Sequence, residues 1–475
     1  MNIPLVIPTY KRTRSLESLL RSFAGGAGGA EAHPVAVFDD APENEGGADT
    51  RALVDRLNSE YGLDLELRGY AEREAFVRSL ADRMNGTDGM LRFALYGGAG
   101  WIHASGCNRN AVLLRFAGSK VVSADDNIRF RFHSFQDPEY ITGLREGMGG
   151  AACFAFPDER WRHFKKRRLK EWTGNIFHEF EHVLGKNPRE LGFYPEAGSD
   201  AAELSGPVRI AAAGICGERW YLSRFAPLSF EYGLRSLMWK NRREYAEAME
   251  RPRALLLAPE LSLEAYPFFT GSLMGYDSSS ILPPFLPHTQ NEDGIWAYMI
   301  RCMYGNSPIG HLPFAAEYDT SPRSPFTEAD SSDTSLDQII LWTVQDIRRN
   351  LEGKSPQDIL VSLGEGLGKL ASMPEAEWRD YLLDGCLVLC DLKIHQFGKN
   401  LKISREKPSF WAEDVWERIG NIEKSKSSLR PWAPAEFQDF GEKGEAEFRH
   451  YLARIGELLR AWPEIWEAAC APAGG

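Results

Sequence analysis

Residues 120–127 read Lys-Val-Val-Ser-Ala-Asp-Asp-Asn, a short strand-forming segment that ends in two acidic side chains. The same arrangement occurs at residues 35–40, Val-Ala-Val-Phe-Asp-Asp, and residues 3–7 form a third apolar run. Apolar residues spaced i, i+3, i+4, i+7 over residues 16–23 predict a helix between the first two strands. Strands that alternate with helices predict an α/β fold with a mixed, mainly parallel sheet and flanking helices. Ligands in such folds bind beyond the carboxyl ends of the strands, where both acidic pairs lie.

The pattern changes to helices near residue 330. One apolar stripe runs from Leu336 to Leu351 and another from Phe448 to Trp462, each at helical spacing. Before them, residues 318–325 carry two prolines in a polar stretch, which interrupts helix and strand alike. We therefore predict an α/β domain over residues 1–325 and a C-terminal α-helical domain over residues 326–475. These helices suit homodimer formation, acceptor binding or completion of the core, and the sequence does not separate the three.

Charge and cysteine content narrow the function classes. The 475 residues carry 55 Lys and Arg against 67 Asp and Glu, a net charge of −12. A generic nucleic-acid binder needs a basic surface instead, so we expect no nucleic-acid partner. No apolar run approaches the ~18 residues of a membrane-spanning helix, and the N-terminus lacks the basic and apolar regions of a signal peptide. Seven scattered cysteines are atypical of a disulfide framework, and we expect a cytoplasmic protein.

Four motifs in a fixed order carry the candidate chemistry. They are Ile-Pro-Thr-Tyr-Lys-Arg at 7–12, Phe-Asp-Asp at 38–40, Gly-Cys-Asn-Arg-Asn at 106–110 leading through a helix to the strand and acids at 121–127, and Gln-Asn-Glu-Asp at 290–293. The ordered set resembles the family 2 glycosyltransferases, which have the GT-A fold, a Rossmann-like mixed sheet with flanking helices. The resemblance extends over about the first 320 residues.

Three positions depart from that family's pattern. Asn108 stands where the family has Ala, Ala111 stands where it has Gly, and Asn127 follows the acidic pair where the family has a third acid. Carboxylate and amide oxygens still suit a hard cation. The resemblance therefore implies a site for Mn²⁺ or Mg²⁺.

The resemblance implies a metal-dependent, inverting glycosyltransferase of the hexosyltransferase type. The donor would be a nucleotide sugar, expected to be a UDP-sugar, and the acceptor a hydroxyl group on a glycan or a polypeptide. Asp293 would be the catalytic base that removes the acceptor proton. The implied nucleotide-binding residues are Pro8, Thr9, Tyr10, Arg12, Asp39, Arg109, Asn110 and Asp125. The implied metal ligands are Asp125, Asp126, Asn127 and His311.

Two alternatives stay open beside this hypothesis. Acidic side chains after strands often cap helices, and acids in a first helical turn are favourable without any chemistry. The chain is therefore also compatible with a catalytically idle GT-A module that binds nucleotide sugars. The second alternative is a zinc metalloprotease, because residues 178–182, His-Glu-Phe-Glu-His, fit the helical HExxH motif. Pro188 stands where the extended form of that motif has its third histidine.

A run of basic side chains contrasts with the acidic composition. It consists of Arg160, Arg162, Lys165, Lys166, Arg167, Arg168 and Lys170, with two aromatic residues interleaved. Such a run suits an anionic acceptor or peripheral contact with a membrane surface. A run of this kind is more often a solvated helix face, which we favour over a binding role.

Overall fold

Twelve strands, all within the residues that the structure describes, form one mixed sheet in a computed structural model of the chain. The structure describes residues 2–26, 33–84, 88–98, 105–145, 150–194, 204–217, 225–265, 269–289, 291–318, 335–349, 351, 353–403, 408–432 and 434–471. The strands are β1 (Leu5–Thr9), β2 (Val35–Asp39), β3 (Leu65–Arg68), β4 (Lys120–Ala124), β5 (Ile128–Phe135), β6 (Ala152–Phe156), β7 (Leu169–Trp172), β8 (Ile210–Gly217), β9 (Arg253–Leu257), β10 (Ser262–Glu264), β11 (Leu273–Asp277) and β12 (Ile309–Tyr318).

The first four strands in chain order are parallel to one another. Along the sheet they lie in the order β3-β2-β1-β4, and the pairing of β1 with β2 sets Thr9 beside Asp39 at their last residues. Parallel neighbours need crossover connections, which helices supply in this part of the chain. All five residues of β2 are buried, as expected of a strand covered on both faces. The carboxyl ends of β1, β2 and β4 consequently meet at one edge of the sheet.

The remaining strands continue the sheet in the order β11-β8-β12-β5-β7. Strand β11 runs antiparallel to both β4 and β8, whereas β8 and β12 are parallel. Strand β10 pairs with β12, and β9 connects β6 to β8. The predicted α/β class, a mixed sheet with flanking helices and a helical C-terminal region, is confirmed. Antiparallel pairing prevails in this second half of the sheet.

Eleven described helices accompany the strands. They are α1 (Thr13–Ala24), α2 (Gly47–Tyr61), α3 (Tyr70–Ala81), α4 (Asp88–Tyr96), α5 (Ser105–Arg115), α6 (Pro138–Gly143), α7 (Asp158–Arg168), α8 (Ile176–Val183), α9 (Tyr232–Met238), α10 (Arg242–Glu250) and α11 (Glu292–Met303). Helix α1 buries the apolar residues at positions 16, 19, 20 and 23, which are the ones whose spacing predicts it. Helix α5 is buried along nearly its whole length between the sheet and later segments.

The C-terminal region is helical from residue 336 onward. Its helices are α12 (Leu336–Arg348), α13 (Pro356–Ala371), α14 (Glu375–Ile403), α15 (Ser409–Ser425) and α16 (Gly444–Cys470). Helices α13 and α16 approach closely at two glycines, since a Cβ atom on Gly364 would lie 2.5 Å from the carbonyl oxygen of Gly456. The predicted stripe from Phe448 to Trp462 is buried along α16. No helix in the described ranges has the length and apolar character needed to cross a bilayer.

The helical region packs directly on the α/β region. One hydrophobic cluster includes Val6 of β1, Trp296 of α11 and Trp462 of α16. The indole Nε1 of Trp462 donates to the carbonyl oxygen of Leu282 at 2.6 Å. The domain boundary predicted between residues 325 and 326, and residues 319–325 of the predicted linker, lie outside the described residues.

Candidate functional site

The acidic pair after β4 lies beside the end of β1. Asp126 is buried, and its Oδ2 accepts a hydrogen bond from Thr9 Oγ1 at 2.8 Å. Its Oδ1 lies 3.5 Å from Nη1 of Arg12, whose side chain is 63% exposed. Burial raises the pKa of the Asp126 carboxyl to about 6, although the charge of Arg12 and the bond from Thr9 favour its ionised form. Thr9, Arg12 and Asp126 are thus brought together from opposite ends of the first 126 residues.

Asp125 is held from two directions. Its backbone N–H donates to the carbonyl oxygen of Ser272 at 2.8 Å. Its carboxylate accepts a hydrogen bond from Arg109 Nη2 at 2.9 Å, and its side chain stays partly exposed. Arg109 projects from the buried helix α5, so the Asp125 carboxylate is tied to the interior while one side of it faces solvent.

Arg109 also reaches the motif near residue 292. Its Nε donates to Glu292 Oε1 at 3.3 Å, across 183 positions of sequence. Burial lowers the pKa of the Arg109 guanidinium, but Asp125, Glu292 and Asp293 together raise it more. The Nη1 atom of Arg109 is buried and has no hydrogen-bond partner among the described residues. The Arg109 guanidinium therefore connects Asp125, at the end of the third motif, to Glu292 of the fourth motif.

Asp293 lies in the first turn of α11 and is held by backbone groups. Its Oδ2 accepts from the Gly271 N–H at 2.6 Å, and its Oδ1 accepts from the Gly294 N–H at 2.9 Å. Burial raises the pKa of Glu292 to about 7 and also raises the pKa of Asp293, against the opposing charge of Arg109. This pair of carboxyl groups therefore holds a proton more strongly than exposed acids do.

The end of β2 presents a buried aspartate. Asp39 Oδ1 accepts from the Ala41 N–H at 3.0 Å, and Oδ2 is buried with no hydrogen-bond partner in the described part of the chain. Burial raises the pKa of this carboxyl, although the Thr50 hydroxyl and the Ala41 N–H favour its ionised form. An unpartnered buried carboxylate oxygen is costly, which points to a donor supplied from elsewhere.

The sequence placed Asp40 at this edge of the sheet, but it did not indicate that Arg73 and Asn108 belong to the framework of the site. Burial raises the pKa of Asp40 to about 6, although it pairs with the buried Arg73 of α3. Arg73 Nη2 donates to Asn108 Oδ1 at 2.8 Å. Asn108 Nδ2 then donates to the carbonyl oxygens of Thr9 and Phe38, which ties the ends of β1 and β2 together. The departure from the family pattern at Asn108 was its only sequence signal, and Arg73 had none.

The turn after β1 exposes an aromatic ring. Tyr10 is 51% exposed, and Lys11, in the left-handed region at φ 52°, places its ammonium 5.0 Å from the centre of that ring. Lys11 also pairs with Glu45 at 2.7 Å. Pro8, half-buried on β1, pairs in register with Phe38. About half of Tyr10 is thus exposed, with the Lys11 ammonium over one face of its ring.

Two predicted site residues lie elsewhere. Asn110 is fully buried: its Nδ2 donates to the carbonyl oxygens of Ala94 and Phe285, and its Oδ1 accepts from the Phe285 N–H. Its amide is occupied by the protein itself. His311 is buried on β12 with Nε2 3.4 Å from a Glu264 carboxylate oxygen.

The position of His311 follows from the strand register. Ser123 of β4 pairs with Met274, Met274 pairs with Ala212, and Ala212 pairs with His311. His311 is therefore three strand spacings, about 14 Å, from Ser123, which lies two residues before Asp125. The structure does not bring His311 to that pair.

The oxygen donors after β4 fit a hard cation in kind. Asn127, which follows the two acids in sequence, has a buried Oδ1 without a hydrogen-bond partner among the described residues. Mg²⁺ is commonly held by one or two carboxylates, with substrate phosphates and waters completing its shell. Within the described ranges, no three His, Cys, Asp or Glu side chains converge on one metal position.

The HExxH segment forms helix α8 on the surface. His178 and His182 are exposed with their rings stacked 6.4 Å apart, and Phe180 between them is buried. No described side chain completes a three-residue metal group with them. The helical face that carries the two histidines is therefore open to solvent.

The basic run divides between internal and exposed residues. Arg160 donates to the carbonyl oxygens of Ser236 and Leu237, Lys165 pairs with Glu317 at 2.7 Å, and Arg168 lies over the ring of Tyr140. The exposed members are Arg162, Lys166, Arg167 and Lys170. Part of the run thus serves the fold and part faces solvent.

Comparisons with known proteins give structural likeness only. No family model matches the chain, and no curated protein matches it. The crystal structure of S. aureus TarS 1–349 aligns with 90% of this chain and 92% of its own, at 12% identity and a TM-score of 0.33. The same fragment in complex with UDP-GlcNAc gives the same identity and coverage with a TM-score of 0.35. The longer TarS structure is covered over 55% of its length, also at 12% identity, with a TM-score of 0.33. Likeness at this level establishes neither family nor activity for this chain.

Proposed function

We propose that this protein is a metal-dependent, inverting glycosyltransferase that transfers a sugar from a nucleotide-sugar donor to a hydroxyl acceptor. The observation that carries the proposal is the contact of Arg109 with both Asp125 and Glu292. This contact joins the acidic pair after β4 to the acids at the start of α11. The sequence resemblance implies that the first pair binds the metal and that Asp293, in the second, is the catalytic base of the same reaction. We expect a UDP-sugar donor, a glycan or polypeptide acceptor, and a cytoplasmic location.

The donor nucleotide would lie at the ends of β1 and β2. The unpartnered Oδ2 of Asp39 would accept a hydrogen bond from the N–H of the base. The exposed ring of Tyr10 would stack on the base, and the exposed guanidinium of Arg12 would pair with phosphate oxygens. Pro8 and Thr9 would shape this turn.

Asp125 and Asp126 would hold the cation, with Asn127 as a third oxygen donor. Mn²⁺ or Mg²⁺ bound there would neutralise the charge that builds on the departing nucleoside diphosphate. Arg109 keeps Asp125 oriented, and its buried Nη1, which has no hydrogen-bond partner among the described residues, would donate to a phosphate oxygen. We do not include His311 in this set, because of its distance along the sheet.

Asp293 would act as the base. The two backbone N–H bonds fix its carboxylate, and burial raises its pKa, which makes it a stronger base than an exposed aspartate. It would take the proton of the acceptor hydroxyl as that oxygen bonds to the anomeric carbon. The bond from that carbon to the diphosphate breaks on the opposite side, so the configuration inverts.

The first test is thermal unfolding with UDP, GDP and CDP, each with Mn²⁺ or with EDTA. Ligand at ~100 times its dissociation constant stabilises a protein by about 2.7 kcal/mol. We expect an Mn²⁺-dependent shift with UDP that is lost in Asp125→Ala. A chain that shifts with none of the nucleotides contradicts the proposal.

The idle nucleotide-sugar-binding module is the second candidate, and one observation favours it. Both carboxylates after β4 are engaged by the chain's own groups, Asp125 by Arg109 and Asp126 by Thr9 and Arg12. Turnover separates the two candidates. Release of free UDP from a UDP-sugar, abolished in Asp293→Asn while the nucleotide-dependent shift remains, identifies the enzyme. Binding without release in the natural sequence identifies the idle module.

A further inference from the structure

Helix α14 has one face with no packing partner among the described residues. The helix comprises 29 residues and is about 44 Å long at 1.5 Å per residue. Along one side, at intervals of three, four or seven positions, it carries the exposed residues Glu377, Asp384, Val388, Leu392, His395, Lys399 and Lys402. We call these seven residues the α14 stripe. Residues at such intervals share one helix face.

The other side of α14 belongs to the core. Trp378, Leu382, Cys386 and Cys390 are each no more than 2% exposed and join the main hydrophobic cluster. The helix also carries apolar side chains outside this buried face. Val388 is 49% exposed and Leu392 is 57% exposed at the middle of the stripe. Two neighbouring aliphatic side chains left half in water favour a contact with another surface.

The charges of the stripe are separated along the helix. Its N-terminal end is acidic, with Glu377 and Asp384, and its C-terminal end is basic, with Lys399 and Lys402. None of these four side chains forms an ion pair with another residue in the described ranges. Asp391, at the border of the stripe, is already paired with Lys426 at 2.6 Å. The free charges are thus arranged in opposite signs on either side of an apolar centre.

We propose that α14 is a self-association surface, on which a second copy of this chain packs through the same stripe in antiparallel orientation. A two-fold axis between Val388 and Leu392 sets Val388 of each copy against Leu392 of the other. At 1.5 Å per residue, Glu377 then lies within about 2 Å of Lys402 of the other copy, measured along the axis, and Asp384 within about 5 Å of Lys399. The stripe is complementary to itself in this orientation, as an isologous interface must be.

The antiparallel orientation is the one that the charges select. A parallel pair would set acids against acids and lysines against lysines, which is unfavourable, whereas the antiparallel pair also sets the two helix dipoles in opposite directions. Only two aliphatic side chains per copy form the centre, so the interface is small and the dimer reversible. A partner of another kind would not need this internal complementarity.

The test is the oligomeric state of the full chain by sedimentation velocity, from about 1 to about 200 μM, a range that brackets a micromolar dissociation constant. We expect a concentration-dependent dimer that Leu392→Asp abolishes. Trp416→Asp is the matched control, because Trp416 is 61% exposed but lies on α15, outside the stripe. Both substitutions are at exposed positions, and thermal unfolding verifies that each variant is folded.

A charge swap tests the orientation separately. Asp384→Lys and Lys399→Asp should each weaken the dimer about tenfold, since every reversed charge occurs twice in a two-fold pair. The double variant carrying both substitutions should recover the affinity of the natural sequence. A monomer at all concentrations, a dimer indifferent to Leu392→Asp, sensitivity to Trp416→Asp instead, or a double variant no tighter than the single ones would each overturn the proposal.

Discussion

The buried Glu292 should make the stability of this protein depend on pH, and Glu292→Gln should remove that dependence. Glu292 lies at the start of α11 with its Oε1 3.3 Å from Nε of Arg109. Burial disfavours its charged form more than Arg109 favours it, so its pKa is raised from 4.5 to about 7. The neutral glutamine keeps the size of the side chain and one acceptor oxygen for Arg109.

The direction in which the free energy of unfolding changes with pH follows from proton binding by Glu292. The folded chain holds the Glu292 proton more tightly than the unfolded chain does, so the free energy of unfolding falls as the pH rises from about 4.5 to about 7. The difference between the two pKa values corresponds to about 3 kcal/mol at 1.36 kcal/mol per pH unit, and this free energy belongs to the interacting carboxyl groups of Glu292 and Asp293 together. The Glu292→Gln variant has no carboxyl group at this position, so its free energy of unfolding does not fall in this way as the pH rises. Relative to the natural sequence it should therefore gain up to about 3 kcal/mol between pH 4.5 and pH 8.

The assay is urea unfolding followed by tryptophan fluorescence at several pH values over that range. The control is Glu365→Gln, at an exposed position on α13, which should leave the pH profile of the natural sequence unchanged. Asp40 and Asp126 also have raised pKa values, but they are common to all three proteins and cancel in the difference. Asp293 interacts directly with Glu292, so the difference reports the titration of these two carboxyl groups together. A stability difference between Glu292→Gln and the natural sequence that is the same at pH 5 and pH 8 would refute the reasoning.

Three further outcomes are expected. Arg109→Ala leaves two carboxylates without their shared partner and should lower the free energy of unfolding by about 3–5 kcal/mol, measured by urea unfolding at pH 7; a loss under 1 kcal/mol would contradict the contacts seen. Gly271→Ala places a Cβ atom 2.9 Å from Asp293 Oδ2 and should reduce UDP release while keeping the UDP-dependent thermal shift, whereas Gly305→Ala, which meets nothing within 4 Å, should change neither. Burial raises the pKa of Asp126 to about 6, so the affinity for Mn²⁺, measured by calorimetry, should rise as the pH increases through 6. If the affinity for Mn²⁺ does not change between pH 5 and pH 8, Asp126 is excluded as a ligand.

Local patterns of the sequence predicted the elements that position the site. The apolar runs before Asp39 and before Asp125 are strands β2 and β4, and their acidic residues meet at the same edge of the sheet. Both outcomes depend on short-range properties: consecutive apolar side chains form a strand buried on both faces, and parallel strands set their carboxyl ends together. The roles of these acids in binding and catalysis stay predictions.

Local sequence patterns could not predict the contacts between segments that are far apart in the chain. Asn110 belongs to the same motif as Arg109, yet its amide bonds to backbone groups near Phe285, 175 positions away, while Arg109 turns toward the acids. Adjacent helical residues point in directions 100° apart, so one motif serves both the site and its scaffold. Arg73 has an ordinary place in helix α3, and only the folded chain shows that it supports Asn108.

The sequence alone determined that this chain forms an α/β sheet followed by helices, and which acids terminate the strands, because side-chain periodicity and strand composition act over a few residues. The tertiary structure alone decided that Arg109 connects Asp125 to Glu292 and that His311 lies three strands away from the acidic pair. It also decided that, within the described ranges, nothing packs on one face of α14. Those facts depend on how elements pack across long sequence separations. Burial and partner charges, which set the pKa values of the site, exist only after that packing has formed.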